Sequence, residues 1–183
     1  MKLRLPHAPY IANKIAIDLL NSGYVNFTQG VEPVVHFTQQ IIEEDIKKEE
    51  ALEEKVEEIL EENEEDMEFM QIDRRNMFWL IKKRLADEFG VLLSYEDRFN
   101  DLAHKILNKL WDEDLINYSV SENKIRNVIY NAIENYFKSF GEIEEAVIDK
   151  INHYKRKVVP GSEEYEILFE KLYEEELKKR GML

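Results

Sequence analysis

Only a few residues of this chain have the types and spacing that chemistry needs. Asp101 and His104 stand three positions apart, so on a helix they would share a face and could bind one metal ion. The positions 91 residues earlier hold Tyr10 and Asn13, which could not form an equivalent pair. Helical metal sites also use Glu-x-x-His pairs, and the sequence contains none. We therefore predict no metal site.

Nucleophilic and phosphate-binding chemistry has no clearer basis. Serine and threonine fall mainly at expected helix caps and loops, without the flanking glycines of a nucleophile elbow. The six glycines are scattered and form no phosphate loop, and the absence of cysteine excludes thiolate ligands and cysteine nucleophiles. We predict no catalytic residue and no cofactor. An enzyme with an unrecognised site is kept as an alternative.

Composition limits the partners. The 183 residues carry a net charge of -14, which disfavours nucleic acid and anionic lipid because both bind through Lys and Arg. No stretch is apolar enough for a membrane span and the N-terminus lacks a signal-peptide core, so a cytoplasmic protein is expected. Abundant Glu, Lys and Ile are typical of proteins from thermophiles. The oligomeric state stays open, and a monomer is compatible with the sequence.

Two basic runs are candidates for binding. One comprises Arg74, Arg75 and the run 82–84, and the other is the run 155–157. Either could contact RNA or an acidic protein surface. The alternative is that these cations pair with neighbouring Glu side chains, which contributes only about 0.3 to 0.5 kcal/mol per pair.

The elements that must position these residues are helices. Apolar residues recur at three- and four-residue steps along most of the chain, which predicts amphipathic helices. Gly23 is expected to end the first, at about 8 to 22, and Gly141 to break the chain between the sixth and seventh. The pattern predicts four helices in each half and no strand. The predicted N-caps are Asp73, Ser94 and Ser162.

The chain also contains one stretch twice. Shifting the sequence by 91 positions superposes residues 11–60 on 102–151 without a gap. The identical pairs concentrate in the first two helices of each half and are mostly apolar where they lie on helices. They include Ala12 with Ala103, Ile15 with Ile106, Leu19 with Leu110, Asn26 with Asn117 and Ile42 with Ile133.

This repeat leads to a specific fold prediction. We expect an all-α, pseudo-twofold tandem repeat with halves 1–92 and 93–183. Its base is an antiparallel four-helix bundle, because two related hairpins with apolar faces bury them most simply against each other. Residues 51–90 and 142–181 form two projecting helical-hairpin arms, hinged near 49–51, 91–94 and 140–141. A compact eight-helix globule is the alternative.

A ligand site is predicted at the base of the arms, where packed units leave concave junctions. An acidic wall and an apolar wall would face each other there, and the pair would suit a small, flat, cationic or amide-bearing molecule. The alternative is that the two aromatic residues complete a helix core. The predicted ligand-binding residues are Asp45, Glu49, Phe89, Tyr136 and Phe140.

Several segments resemble a known family. The stretch from Ile72 to Leu92, with Ile11-Ala12-Asn13-Lys14-Ile15 and the segment Leu52 to Leu60, is similar to the bacterial domain of unknown function family 507. The resemblance covers the first half almost completely. In the second half it is clear only at Leu102 to Ile106 and Arg180 to Leu183, so a tandem copy is inferred. The basic run 82–84 becomes Tyr173-Glu174-Glu175 there. The resemblance implies no activity.

The sequence thus favours a helical binding or scaffold protein. Its partner would be an unknown protein, or a small molecule held between the arms. An RNA or acidic-protein binder acting through the basic patches is the main alternative.

Overall fold

The computed structural model describes residues 2–182, and helices form most of them. The predicted helical class is therefore confirmed. A short 3-10 helix, Leu5–His7, precedes the first α-helix. The α-helices are α1 (Ala8–Ser22), α2 (Val31–Glu62), α3 (Glu64–Phe69), α4 (Arg74–Leu85), α5 (Tyr95–Asp112), α6 (Glu122–Asn152) and α7 (Glu163–Lys179).

The predicted helix N-caps form as expected. The Asp73 carboxylate accepts a hydrogen bond from the Arg75 N–H at 3.0 Å and begins α4. The Ser94 hydroxyl accepts from the Asp97 N–H at 3.4 Å at the start of α5. Ser162 does the same for Tyr165 at 3.2 Å. Each side chain satisfies an N–H group that has no partner within its own helix.

The prediction of a separate helix on each side of Gly141 was wrong. Gly141 lies inside α6, and residues 49–51 lie inside α2. The apolar stripe continues through both places, and one glycine costs a helix only about 1 kcal/mol relative to alanine, less than the buried neighbours contribute. Two of the three predicted hinges therefore fall within continuous helices. Only 91–94 lies in a loop, between α4 and α5.

The prediction that no strand forms was also wrong. Strands β1 (Val25–Phe27) and β2 (Ile116–Tyr118) pair antiparallel, with Asn26 opposite Asn117. Thr28 extends this contact, since its N–H donates to the Leu115 carbonyl at 3.2 Å. Three residues are too few for an alternating pattern to be recognised. The partner strand also lies far away in sequence, so neither half contains the signal alone.

Four helices surround the main core. α1 packs against α2 and α6, and α5 packs against the same two helices. Fully buried residues on this core include Ile15 and Ile106. Within residues 2–182, no helix combines the length and the apolar character that a bilayer-spanning segment needs.

The helix pairs α2–α4 and α6–α7 differ in how they join this core. The second half of α2 packs against α4, and together with α3 these helices enclose a separate apolar cluster around Leu52, Val56 and Leu60. The end of α6 packs against α7, but its buried residues Ile143 and Val147 are continuous with the main core. The α2–α4 pair therefore has an apolar cluster of its own, whereas the α6–α7 pair shares the main core.

Candidate functional site

Four charged side chains meet where α2, α4 and α5 approach each other, and we call them the charged junction: Asp45, Glu49, Lys82 and Arg98. Arg98 donates from Nε to Asp45 Oδ2 at 2.6 Å and from Nη1 to Glu49 Oε2 at 2.7 Å. Lys82 donates to Glu49 Oε1 at 3.0 Å. Arg98, Lys82 and Glu49 are only 2%, 3% and 5% exposed. Buried charges of this kind persist only when they are paired.

Mutual attraction keeps the charged junction ionised. Burial alone would favour the neutral form of Glu49, but Arg98 and Lys82 outweigh it and hold the pKa of Glu49 below its usual value. Burial likewise opposes the charge on Arg98, and the carboxylates of Asp45 and Glu49 raise the pKa of Arg98 above its usual value. The carboxylates of Asp45 and Glu49 are therefore engaged in ion pairs with Arg98 and Lys82.

An aromatic cluster occupies the corresponding place beside α6 and α7, and we call it the aromatic junction: His7, Tyr136, Phe140 and Tyr173. The rings of His7 and Phe140 stack with centroids 3.8 Å apart. Tyr136 meets Phe140 edge to face at 4.3 Å. The Tyr173 hydroxyl lies 3.3 Å from His7 Nε2. Phe140 is fully buried and Tyr136 nearly so.

The two junctions correspond residue by residue at the 91-residue offset. His7 corresponds to Arg98, Tyr136 to Asp45, Phe140 to Glu49 and Tyr173 to Lys82. The contacts at these positions are therefore ion pairs in the charged junction and ring contacts in the aromatic junction. Sequence reasoning missed His7, Lys82, Arg98 and Tyr173 as members, although the offset itself contained the signal.

The five predicted ligand residues are divided among three places. Asp45 and Glu49 are brought together by Arg98. Tyr136 and Phe140 are in ring contact within the main core, while Phe89 packs against the separate cluster of the first arm. Of the five, Tyr136 lines a groove of about 510 Å³ beside α1, with Tyr10, Lys14 and Ser139. Its buried hydroxyl has no hydrogen-bond partner among the described residues.

The outward side of α4 is cationic and partly apolar, and we call Arg75, Asn76, Trp79, Leu80, Lys83 and Arg84 the α4 surface. All six are exposed, and helical spacing places them on one face. Trp79 is 56% and Leu80 63% exposed. The other two cations of α4 are paired with α2, the exposed Arg74 with Glu57 at 2.6 Å and the buried Lys82 with Glu53 at 2.8 Å.

The three cations of the α4 surface differ from Arg74 and Lys82 in their pairing. Arg75, Lys83 and Arg84 form no ion pair within residues 2–182. All three are exposed, so nothing in the described residues neutralises their charge at close range. Three unpaired cations around two exposed apolar side chains form a surface suited to an acidic partner.

The equivalent side of α7 has the opposite character. Its exposed carboxylates Glu163, Glu166, Glu170 and Glu174 share one helical face with Ile167, which is 63% exposed. Beside Ile167 lies a groove of about 640 Å³, lined by residues on α7 and on the loop before it. We call this the α7 groove: Tyr154, Arg156, Val158, Glu163, Glu164, Ile167, Leu168 and Lys171.

Some of the remaining sequence candidates form local contacts. In the second basic run, Arg156 pairs with Glu164 at 3.4 Å. Asp101 pairs with Lys105 at 2.5 Å. His104 Nδ1 lies 3.4 Å from Arg126 Nη1, so Asp101 and His104 each contact a cationic side chain.

Comparison with known protein families identifies the family of this chain. The family described as "Protein of unknown function (DUF507)" matches residues 1–182. The chain belongs to this family. The match extends across both halves, beyond the first half where the residue-level resemblance is strongest. No curated protein matches the chain.

The DUF507 description contains no activity, so it assigns no role to any residue. For this DUF507 chain, the chemistry of its surfaces is the basis for a functional argument. The α4 surface is the strongest candidate, because its cations and its exposed apolar side chains occur together.

Proposed function

We propose that this chain is a binding or scaffold protein that docks an acidic partner protein on the α4 surface. The observation that carries the proposal is the set of unpaired cations, Arg75, Lys83 and Arg84, around exposed Trp79 and Leu80. Docking would place carboxylates against these cations and remove the two apolar side chains from water. Aromatic and Arg side chains of this kind supply much of the energy of protein interfaces.

A protein partner fits better than RNA. The acidic face of α2 runs along the same arm, with Glu50, Glu54, Glu57, Glu58 and Glu61 lining one shallow groove. A nucleic acid carries charge along its whole length and would be repelled there. A protein can present carboxylates only where the α4 surface needs them.

We further propose that the halves 1–92 and 93–183 are tandem repeats around a pseudo-twofold axis, with α1, α2, α5 and α6 as a four-helix base and two arms. Equivalent contacts support this arrangement. The Val91 N–H donates to the Ala86 carbonyl at 2.9 Å, and the Met182 N–H donates to the Leu177 carbonyl at 2.9 Å. Both pairs obey the 91-residue offset. The arms then provide two related surfaces of opposite charge.

The docking proposal is tested by charge reversal. The test variant carries Arg75→Glu, Lys83→Glu and Arg84→Glu. The control carries Lys47→Glu, Lys48→Glu and Lys124→Glu, which changes the net charge equally at other exposed positions. Each protein is immobilised and exposed to native lysate, with and without nuclease, and retained proteins are quantified by mass spectrometry.

We expect wild type and control to retain acidic proteins from the lysate. The test variant should retain at least tenfold less of the same proteins. Retention should not change with nuclease. Identical retention by all three proteins would overturn the proposal. Loss of the retained material on nuclease treatment would assign the surface to RNA instead.

A small-molecule role is the second candidate, and the groove beside α1 favours it. Tyr136 lines this groove with its hydroxyl unpartnered among the described residues, and Lys14, paired with Asp18 at 2.9 Å, adds a cation to the lining. Ligand pockets combine apolar walls with a few polar groups of this kind. Screening by thermal shift should find ligands whose effect is lost in Lys14→Ala and Tyr136→Phe. Ligands that stabilise both variants as well as wild type would place the site elsewhere.

A further inference from the structure

The α4 surface and the α7 groove are complementary to each other. The α4 surface offers Arg75, Lys83 and Arg84 around Trp79 and Leu80. The α7 groove and its adjoining face offer carboxylates around Ile167. Within residues 2–182, Glu163, Glu166 and Glu170 form no ion pair. Each surface therefore contains unpaired charges that the other would neutralise.

The apolar parts of the two surfaces match as well. Trp79 and Leu80 project from a helix, and the α7 groove is a concave site with Val158, Ile167 and Leu168 in its wall. Its volume of about 640 Å³ lies within the range of natural binding sites, roughly 300 to 1,000 Å³. Two cations also line the groove, and one of them, Arg156, is already paired with Glu164.

The two surfaces lie on different arms of one chain. α4 packs on α2, and α7 packs on α6. A second copy of the chain can bring the missing partner to each surface. Since every copy has one α4 surface and one α7 groove, a twofold axis between two copies would form the contact twice. Forming the contact twice doubles the buried area, which helps to reach the roughly 1,200 Å² or more that a stable interface buries.

We propose that two copies of this chain form a reciprocal dimer, with the α4 surface of each docked in the α7 groove of the other. This inference rests on the proposed docking role of the α4 surface and names its partner. Arg75, Lys83 and Arg84 pair across the interface with Glu163, Glu166 and Glu170. Trp79 and Leu80 both pack against the groove beside Ile167 and leave water.

Complementary charge reversal tests the dimer. The first variant carries Arg75→Glu, Lys83→Glu and Arg84→Glu, so both of its docking surfaces are acidic. The second carries Glu163→Lys, Glu166→Lys and Glu170→Lys, so both are basic. Each variant alone, and a 1:1 mixture, is measured by sedimentation at several concentrations. The control again carries Lys47→Glu, Lys48→Glu and Lys124→Glu, and circular dichroism verifies that every variant is folded.

Wild type and control should reach twice the chain mass of 21.9 kDa, and added salt should weaken the dimer because exposed charges are screened. Each variant alone should dimerise at least tenfold more weakly. The mixture should form a heterodimer, because each acidic surface of the first variant then contacts a basic surface of the second. Monomeric wild type, unaffected variants, a mixture that stays monomeric or masses above the dimer would each overturn the proposal.

The tryptophan signal provides a second, local measurement. The chain has two tryptophans, so Trp111→Phe leaves Trp79 as the single reporter. Its emission should shift to the blue as concentration rises, since docking removes the ring from water. An unchanged emission across the dimerisation range would place the interface elsewhere. A further outcome separates the dimer from the docking function. Wild type could be monomeric while the variant with Arg75→Glu, Lys83→Glu and Arg84→Glu retains less of an acidic protein than wild type does. That result would overturn the dimer and leave the docking function in place.

Discussion

Asn26 lies opposite Asn117 in the two-stranded sheet, and the two residues are 91 positions apart (117 minus 26). The flanking pairs are Val25 with Tyr118 and Phe27 with Ile116. Val25 corresponds to Ile116 at the 91-residue offset, and Phe27 corresponds to Tyr118, so the offset converts one flanking pair into the other. An antiparallel ladder centred on two equivalent residues is what a local twofold axis at this point requires, and the proposed repeat is built around it.

The first prediction concerns two equivalent core positions. Ile15 and Ile106 are both fully buried, so Ile15→Ala and Ile106→Ala should each lower the free energy of unfolding by about 2 to 5 kcal/mol. Ile17→Ala is the control, because Ile17 is exposed on the same helix as Ile15. Urea unfolding measures all three. A loss below about 0.5 kcal/mol at either core position would contradict their equivalence.

The charged junction provides the second prediction. Glu49→Ala leaves Arg98 and Lys82 buried without one of their carboxylates and should cost about 3 to 5 kcal/mol. The double variant Glu49→Leu with Arg98→Met removes the Arg98–Glu49 pair, while Lys82 keeps Glu53 as its partner. It should recover part of that loss, because apolar replacements of buried ion pairs are often neutral. Glu54→Ala, at an exposed position of α2, is the matched control.

Chemical unfolding of the four proteins separates the possibilities. If Glu49→Ala costs no more than Glu54→Ala, the ion pairs do not hold the first arm in place. The double variant should then show no recovery either.

His7 provides a prediction about pH. Burial, with a smaller contribution from Arg4, lowers the pKa of His7 from 6.5 to about 4. Its Nδ1 accepts the Arg4 backbone N–H at 3.1 Å, which requires an unprotonated nitrogen. Below pH 6.5 His7 becomes protonated in the unfolded chain, whereas in the folded chain it stays neutral until about pH 4. Stability from this residue is therefore complete above pH 6.5 and is lost as the pH falls towards 4.

At pH 5 the loss relative to pH 7 should be about 2 kcal/mol. Denaturant unfolding of wild type, His7→Gln and the exposed-site control His104→Gln, each at pH 7 and pH 5, isolates the contribution. His7→Gln should show a smaller difference between the two pH values than the other proteins. Equal differences in all three would mean that His7 does not resist protonation.

A fourth prediction compares two left-handed turns. Gly23 after α1 has φ 72° and Asp114 after α5 has φ 54°. No atom would obstruct a Cβ at Gly23, so Gly23→Ala should cost only the backbone strain, about 1 kcal/mol. Asp114→Gly should change the free energy of unfolding by less than about 0.5 kcal/mol, because relieved strain is offset by greater freedom of the unfolded chain. Thermal unfolding measures both, and a neutral Gly23→Ala would contradict the strain argument.

Local sequence determined the helices and their beginnings. Periodic apolar residues predicted α1 at its observed bounds, and Asp73, Ser94 and Ser162 predicted three N-caps that form. These features could be predicted because helix formation and capping depend on residues within one or two turns of each other. The family resemblance likewise rested on contiguous segments, and the match to residues 1–182 bears it out.

Tertiary structure decided everything that joins distant segments. Pairing of Asn26 with Asn117, and the contacts of Arg98 with Glu49 and of His7 with Phe140, depend on how the halves pack. Tertiary packing also kept Gly141 inside a helix, since buried neighbours on both sides outweigh its small propensity cost. Whether a cation is paired depends on which helix lies within reach, so only the folded chain distinguishes Lys82, held by Glu49 and Glu53, from Lys83 on the open side of α4.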